Sequence, residues 1–291
     1  MIIVKLIGGL GNQMFQYAAG RRLAQHHNTD LILDVTGFAS YSLRKYELDI
    51  FRINATIATQ DLLKRVEPFS RKDFFRLGIR SLFLGETKIE SIREQTLDFD
   101  GRVLSLPDNI YLDGYWQNEK YFVDISDIIK KEFTFATSPP AINKGILEEI
   151  RGCNSVSVHI RRGDYISNPK TWETHGVLGI EYYIQALNLI EKKVINPQIF
   201  IFSDDIPWVK DNLKTGLALH FMEQSGEEKN YEDLRLMSNC KHHIIANSSF
   251  SWWGAWLSSN QNKVVIAPIK WFSDEKMNGE QKIVPLNWIK I

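Results

Sequence analysis

Apolar and polar positions along the chain recur in one order: a short apolar run, a break of small or polar residues, then a stretch at helical spacing. Ile2–Ile7 is the first run and Gly8–Gly9 the first break. Met14, Phe15, Ala18, Ala19, Leu23 and Ala24 then mark one face of a helix, and Leu31–Asp34 reads as a second strand. This β-α-β opening is the seed of a parallel sheet. Asn109–Trp116 reads as a further strand and Lys120–Phe133 as a helix. The same theme returns later, with strands at Ser155–Arg161, Gln198–Phe202, His242–Ala246 and Lys263–Ala267, and helices at Glu181–Lys193 and Tyr231–Met237. The pattern predicts an α/β chain with two Rossmann-like parallel sheets. Thr137-Ser138-Pro139-Pro140 is the linker candidate, dividing residues 1–138 from 139–291.

Residues 61–100 break the pattern, being charge-rich and without strong strands. Phe74, Phe75, Leu77, Ile79, Leu82 and Phe83 alternate there with Arg71, Lys72, Arg76 and Arg80. Two readings stand: a helical pair with a solvated basic face, or a basic surface element for a membrane or a lipid-linked acceptor.

Composition narrows the class. Lys plus Arg equals Asp plus Glu at 35 each, so no overall field steers the chain toward nucleic acid or an anionic membrane. Cys153 and Cys240 make no disulfide framework and lack CxxC spacing, which favours a reduced setting. The opening apolar run is too short for a signal or a span. A cytoplasmic protein is expected, at most peripheral to the inner membrane surface.

Three strand ends carry unusual chemistry, and ligands of parallel sheets bind beyond such ends. In the first, Val156, Val158 and Ile160 alternate with His159 and Arg161, two residues spaced to touch one ligand at about 6.5 Å. Arginine's planar fork suits phosphate, Arg162 follows it, and Gly163 leaves Asp164 at the mouth. The second end is Ser203-Asp204-Asp205, where a carboxylate can take two donors of guanine's edge or cap the next helix. The third is Asn247-Ser248-Ser249-Phe250-Ser251, the start of a helix whose first amides form an anion site. Trp252, Trp253 and Trp256 beyond it read as core. Adjacent aspartates, and Cys240 beside His242 and His243, invite a metal reading, but neighbouring strand residues point apart, so none is expected.

Gly8-Gly9-Leu10-Gly11-Asn12-Gln13-Met14, with Asp34 ending the next strand, approaches a dinucleotide fingerprint. Met14 stands where the third glycine belongs. Gly9, Gly11, Asn12 and Gln13 therefore read as a loop for sugar or acceptor, with an NAD-linked oxidoreductase as a rival. A tryptophan-lined, non-catalytic glycan-binding module is the other rival.

GGLGNQMFQYA (Gly8–Ala18), HIRRGDY (His159–Tyr165), FSDD (Phe202–Asp205) and ANSSFSWWGAWL (Ala246–Leu257) together resemble the bacterial α-1,2-fucosyltransferases of glycosyltransferase family 11. GYWQNEKYF (Gly114–Phe122) is similar to a further family segment, adding Trp116 and Gln117 to the sugar side. The resemblance implies a GT-B-type fold of two facing Rossmann-like domains, the C-terminal one holding the nucleotide. It implies inverting, metal-independent transfer from GDP-β-L-fucose to the 2-hydroxyl of a terminal galactose on an oligosaccharide or lipid-linked glycan. Carried over by position, Arg161 holds the β-phosphate and His159 supports base or phosphate. Asp204 or Asp205 reads guanine, and Ser248–Ser251 bind the diphosphate. Asp164 is the nominee for the base that activates the acceptor, with His175 and Glu173 as rivals.

Overall fold

The computed structural model describes the chain except residues 41–43, 68–87, 168–171, 175 and 223–229, and the side chains of Asp164, Ser167 and Glu280. The basic stretch at 71–80 and His175 thus lie outside the described residues. The chain divides into two compact units, Met1–Ala136 and Thr137–Ile291.

The first unit opens with β1 (Ile2–Lys5), α1 (Leu10–His27) and β2 (Leu31–Asp34). Asn28 ends α1 in the left-handed region at φ 49°, a conformation asparagine tolerates better than most residues. Then come β3 (Thr56–Ile57), α2 (Gln60–Leu63), β4 (Glu90–Arg93), β5 (Ile110–Asp113) and α3 (Ser126–Glu132). All five strands are parallel, in the order β3-β2-β1-β5-β4. Ile2, Ile3, Val4 and Leu6 are fully buried, as a strand covered on both faces requires.

Two expectations for this unit are corrected. The segment 61–100 contains β4, an edge strand registered with Glu90 opposite Ile110 and Arg93 opposite Asp113. Among its four residues Ile92 alone is buried, so its apolar alternation was too weak to read. The helix expected over Lys120–Phe133 is two 3-10 turns, Glu119–Tyr121 and Val123–Ile125, followed by the short α3. Tyr121 and Phe122 are both buried, and a regular helix would turn consecutive side chains about 100° apart. The Tyr121 hydroxyl also accepts the Asp100 N–H at 2.9 Å.

The second unit runs α4 (Ala141–Gly152), β6 (Asn154–Ile160), α5 (Gly163–Ser167), α6 (Ile180–Lys193) and β7 (Pro197–Ser203). It continues through α7 (Ile206–Asn212), β8 (Leu219–Phe221), α8 (Tyr231–Asn239), β9 (His242–Ile244) and α9 (Ser249–Leu257). β10 (Val265–Ala267), α10 (Glu275–Glu280) and β11 (Ile289–Lys290) close it. The sheet is again parallel, ordered β11-β10-β9-β6-β7-β8. β8 and β11 are edge strands too short to show periodicity in the sequence.

Strand alternation divides β6 as expected. Val156, Val158 and Ile160 enter a core with Tyr183, Leu187 and Ile190 of α6 and Val209 of α7. Ser157 and His159 point to the opposite face, where the His159 ring meets Phe250 of α9 at 5.8 Å between centroids. From β6 the chain runs to β7 and β8 on one side, then returns to β9 on the other. The order therefore reverses between β6 and β9, and the crevice beyond their carboxyl ends is where such sheets bind ligands.

Candidate active site in the second unit

Three strand ends converge at this switch point. The Arg161 Nη1 lies 2.8 Å from Asp204 Oδ2, joining the ends of β6 and β7. The guanidinium also sits over the Tyr165 ring, 5.7 Å from its centroid. The Tyr165 hydroxyl donates to the Asn247 carbonyl at 3.0 Å, tying in the end of β9. Tyr165, the last residue of HIRRGDY, is thus the side chain that links the first and third strand ends. Its aromatic ring one turn past an arginine was the available signal.

Beyond β9 the helix α9 begins. Its N-cap Ser248 makes no side-chain capping bond, and no acidic residue occupies the first turn. The helix start thus carries neither a side-chain cap from Ser248 nor a carboxylate in its own first turn, and a helix N-terminus is a favourable place for an anion. Ser249 and Phe250 are half-buried at this start. Ser251 is 1% exposed and donates its hydroxyl back to the Ser248 carbonyl at 3.2 Å, so it belongs to the helix interior. Asn247 is likewise buried, its amide donating to the Trp271 carbonyl at 3.2 Å. Trp252 and Trp253 are fully buried and Trp256 nearly so, packing with Trp288 as core.

His159 is buried, and its Nδ1 has no hydrogen-bond partner among the described residues. Burial first, then the neighbouring charge of Arg161, pushes its pKa from 6.5 down to about 4, with Asp204 opposing. The ring is neutral at pH 7, so it offers a hydrogen bond but no charge.

Several sequence-selected residues have commitments that change their reading. Asp205 caps α7 by accepting the Trp208 N–H at 3.1 Å, and it pairs with Arg162 Nε at 3.2 Å. The Arg162 guanidinium lies 3.5 Å from the centroid of the Trp208 ring. Arg162 is therefore turned toward α7, a stacked clamp on that helix. Ser203 accepts the Asp205 N–H at 3.0 Å, which shapes the turn. Asp164 is backbone-defined only, and Glu173 is exposed.

The glycine loop of the first unit has its own geometry. Gly8 adopts φ 77°, open to glycine at no steric cost. Asn12 accepts from Gln117 at 2.7 Å, spanning β1 and β5 where that sheet's order reverses. Gln13, expected on the sugar side, is fully buried, donates to the Gly8 and Lys45 carbonyls and accepts the Glu47 N–H. Trp116, expected on the same side, is 1% exposed and packed edge-on against Tyr121. Gly9 lies beside Arg44, and Gly11 opens α1. Asp34 accepts from Thr36 and from the Tyr111 hydroxyl, so both carboxylate oxygens are engaged and neither awaits a ribose diol. That removes the main support of the oxidoreductase reading.

Among the described residues no group of three His, Cys, Asp or Glu is placed to hold a metal ion. His242 Nδ1 accepts the Val264 N–H, while His243 Nδ1 pairs with the Ser157 hydroxyl. No helix among the described residues is long and apolar enough to cross a membrane.

The full span 1–291 matches the model of glycosyl transferase family 11. The chain belongs to glycosyltransferase family 11. Within it, the chain is 36% identical over 302 residues to an Escherichia coli alpha-1,2-colitosyltransferase, covering 100% of this chain and 99% of that protein. It is 26% identical over 265 residues to galactoside alpha-(1,2)-fucosyltransferase 2 of Mus musculus, covering 88% and 67%. A solved structure of an Arabidopsis thaliana FUT1 variant in complex with GDP superposes with TM-score 0.54 at 9% identity, over 91% of this chain and 69% of that one. That likeness concerns the fold. The family 11 chain is a glycosyltransferase of two parallel-sheet α/β units.

Proposed function

We propose that this glycosyltransferase transfers L-fucose from GDP-β-L-fucose to the 2-hydroxyl of a terminal galactose, with inversion and without a metal ion. The acceptor is an oligosaccharide, free or lipid-linked, met in the cytoplasm or at the inner membrane surface. The observation that carries the reading is the meeting of Arg161, Tyr165 and the uncapped start of α9 at the switch point of the second sheet. A fixed cation and a helix N-terminus together stabilise the charge on a leaving diphosphate.

The acceptor 2-hydroxyl oxygen attacks C1 of fucose from the face opposite GDP, and the C1–phosphate oxygen bond breaks. The electron pair leaves on the β-phosphate of GDP, and the hydroxyl proton passes to a base, for which Asp164 is the nominee and Glu173 the rival. Charge grows on the β-phosphate as the bond opens. Arg161 and the α9 amides stabilise it, each well-aimed donor contributing about 3–4 kcal/mol. His159, neutral, donates a hydrogen bond to phosphate or base.

A second reading has a specific observation behind it: an Escherichia coli relative that matches over the whole chain is an alpha-1,2-colitosyltransferase. Colitose is L-fucose without its 3-hydroxyl, so the two donors differ at one polar group. Purified protein should release GDP from GDP-fucose when lactose or a type 1 or 2 galactoside is present. GDP-colitose, GDP-mannose and UDP-sugars are the competing donors. Faster turnover of GDP-colitose would replace the fucose assignment, and silence with every galactoside would overturn the acceptor.

A further inference from the structure

β6 and β7 run in register up to Ile160 opposite Ser203. The next residue on each strand, Arg161 and Asp204, therefore leaves the sheet beside the other. Asp204 then takes on two neighbours at once. Its Oδ1 accepts the Arg162 backbone N–H at 2.8 Å, which sets the turn out of β6. Its Oδ2 lies 2.8 Å from the Arg161 guanidinium. That oxygen has no well-directed hydrogen bond, so charge attraction holds the guanidinium there. The turn closes over the carboxylate at Gly163, where a Cβ would stand 2.8 Å from Oδ2 and 3.1 Å from Cγ. Only a hydrogen fits without displacing Asp204. The guanidinium also lies 5.7 Å from the centroid of the Tyr165 ring, whose hydroxyl is anchored to the Asn247 carbonyl.

Reading guanine's Watson–Crick edge requires both carboxylate oxygens to face two ligand donors together. Here one oxygen holds a backbone amide and the other a guanidinium. An arginine side chain, by contrast, loses much rotamer freedom when it binds phosphate, and a countercharge that holds it in place beforehand lowers that cost. We infer that Asp204 is a positioning residue that aims Arg161 at the leaving diphosphate, and that it does not read the nucleobase. The inference rests on the reading of Arg161 as the diphosphate ligand.

The test is calorimetry with GDP, IDP, UDP and GMP on the wild type, Asp204→Asn, Arg161→Ala and the double variant. Asp204→Asn retains an oxygen for the Arg162 N–H, so the turn folds, and thermal melts check this. Gly163→Ala presses on the carboxylate at Oδ2 and should reproduce the loss. Asp204→Asn should weaken every diphosphate that binds by about tenfold, leave GMP unchanged, and keep the GDP-to-IDP preference within about twofold. IDP lacks only the 2-amino donor. In the Arg161→Ala background the second substitution should add nothing, as coupled partners behave in a double-mutant cycle. A GDP-to-IDP preference that collapses in Asp204→Asn, or losses that add, would overturn the assignment. A wild type that binds UDP and not GDP would refute the donor reading while the Asp204 comparison runs on UDP. Failure to bind any diphosphate would refute both.

Discussion

The neutrality of His159 makes a prediction that can be followed from structure to assay. Its folded pKa of about 4 lies below the ordinary 6.5 because burial removes water from the ring and Arg161 repels a second cation. The depressed value means that the unfolded chain binds the proton first as pH falls. Stability from this group is therefore complete above about 6.5 and is lost as pH drops toward 4, where the folded ring finally protonates. Linkage puts the loss at roughly 2 kcal/mol between pH 7 and pH 5, and the full difference between the two pKa values at roughly 3 kcal/mol. Urea unfolding of the wild type and His159→Asn at both pH values measures it: the variant should lose about 2 kcal/mol less than the wild type on acidification. Histidine Cε1–H resonances, with His159→Asn supplying the assignment, give the pKa directly. A His159 signal titrating between pH 6 and 7, with equal acid sensitivity in the two proteins, would refute the reasoning. It would also restore His159 as a charged phosphate ligand.

Four further outcomes are expected. Glu232→Ala should destabilise the second unit by about 3–5 kcal/mol in denaturant unfolding, because it removes the buried carboxylate to which Arg235 donates from Nε and Nη2 and Asn143 from its side-chain amide. Gly20→Ala should lower stability by about 1–2 kcal/mol despite alanine's better helix propensity, since the new Cβ would lie 2.2 Å from Val4 Cγ2; an unchanged melting temperature would show that β1 yields. Turnover in excess EDTA should match turnover in buffer, and Arg161→Ala should lower kcat/KM by at least about a hundredfold; restoration of an EDTA-inhibited enzyme by a divalent ion would overturn the metal-free mechanism.

The sequence by itself determined the two parallel-sheet α/β character and which strand ends carry polar chemistry, because burial enforces apolar runs and alternation enforces faces. Val156, Val158 and Ile160 could be separated from His159 and Arg161 on that ground alone, and the motifs identified family 11. Short edge strands such as β4 and β8 escaped, since exposure on one side relaxes the apolar requirement that makes a strand legible. What only the tertiary structure decided is how each polar side chain is partnered. Gln13 and Trp116 are turned inward, Arg162 is stacked on Trp208, Asp34 is engaged by Tyr111, and Asp204 is bound to Arg161. A polar group in a folded chain takes whichever partner lies within about 3 Å, and that partner comes from segments far away in sequence, brought near by sheet order and register.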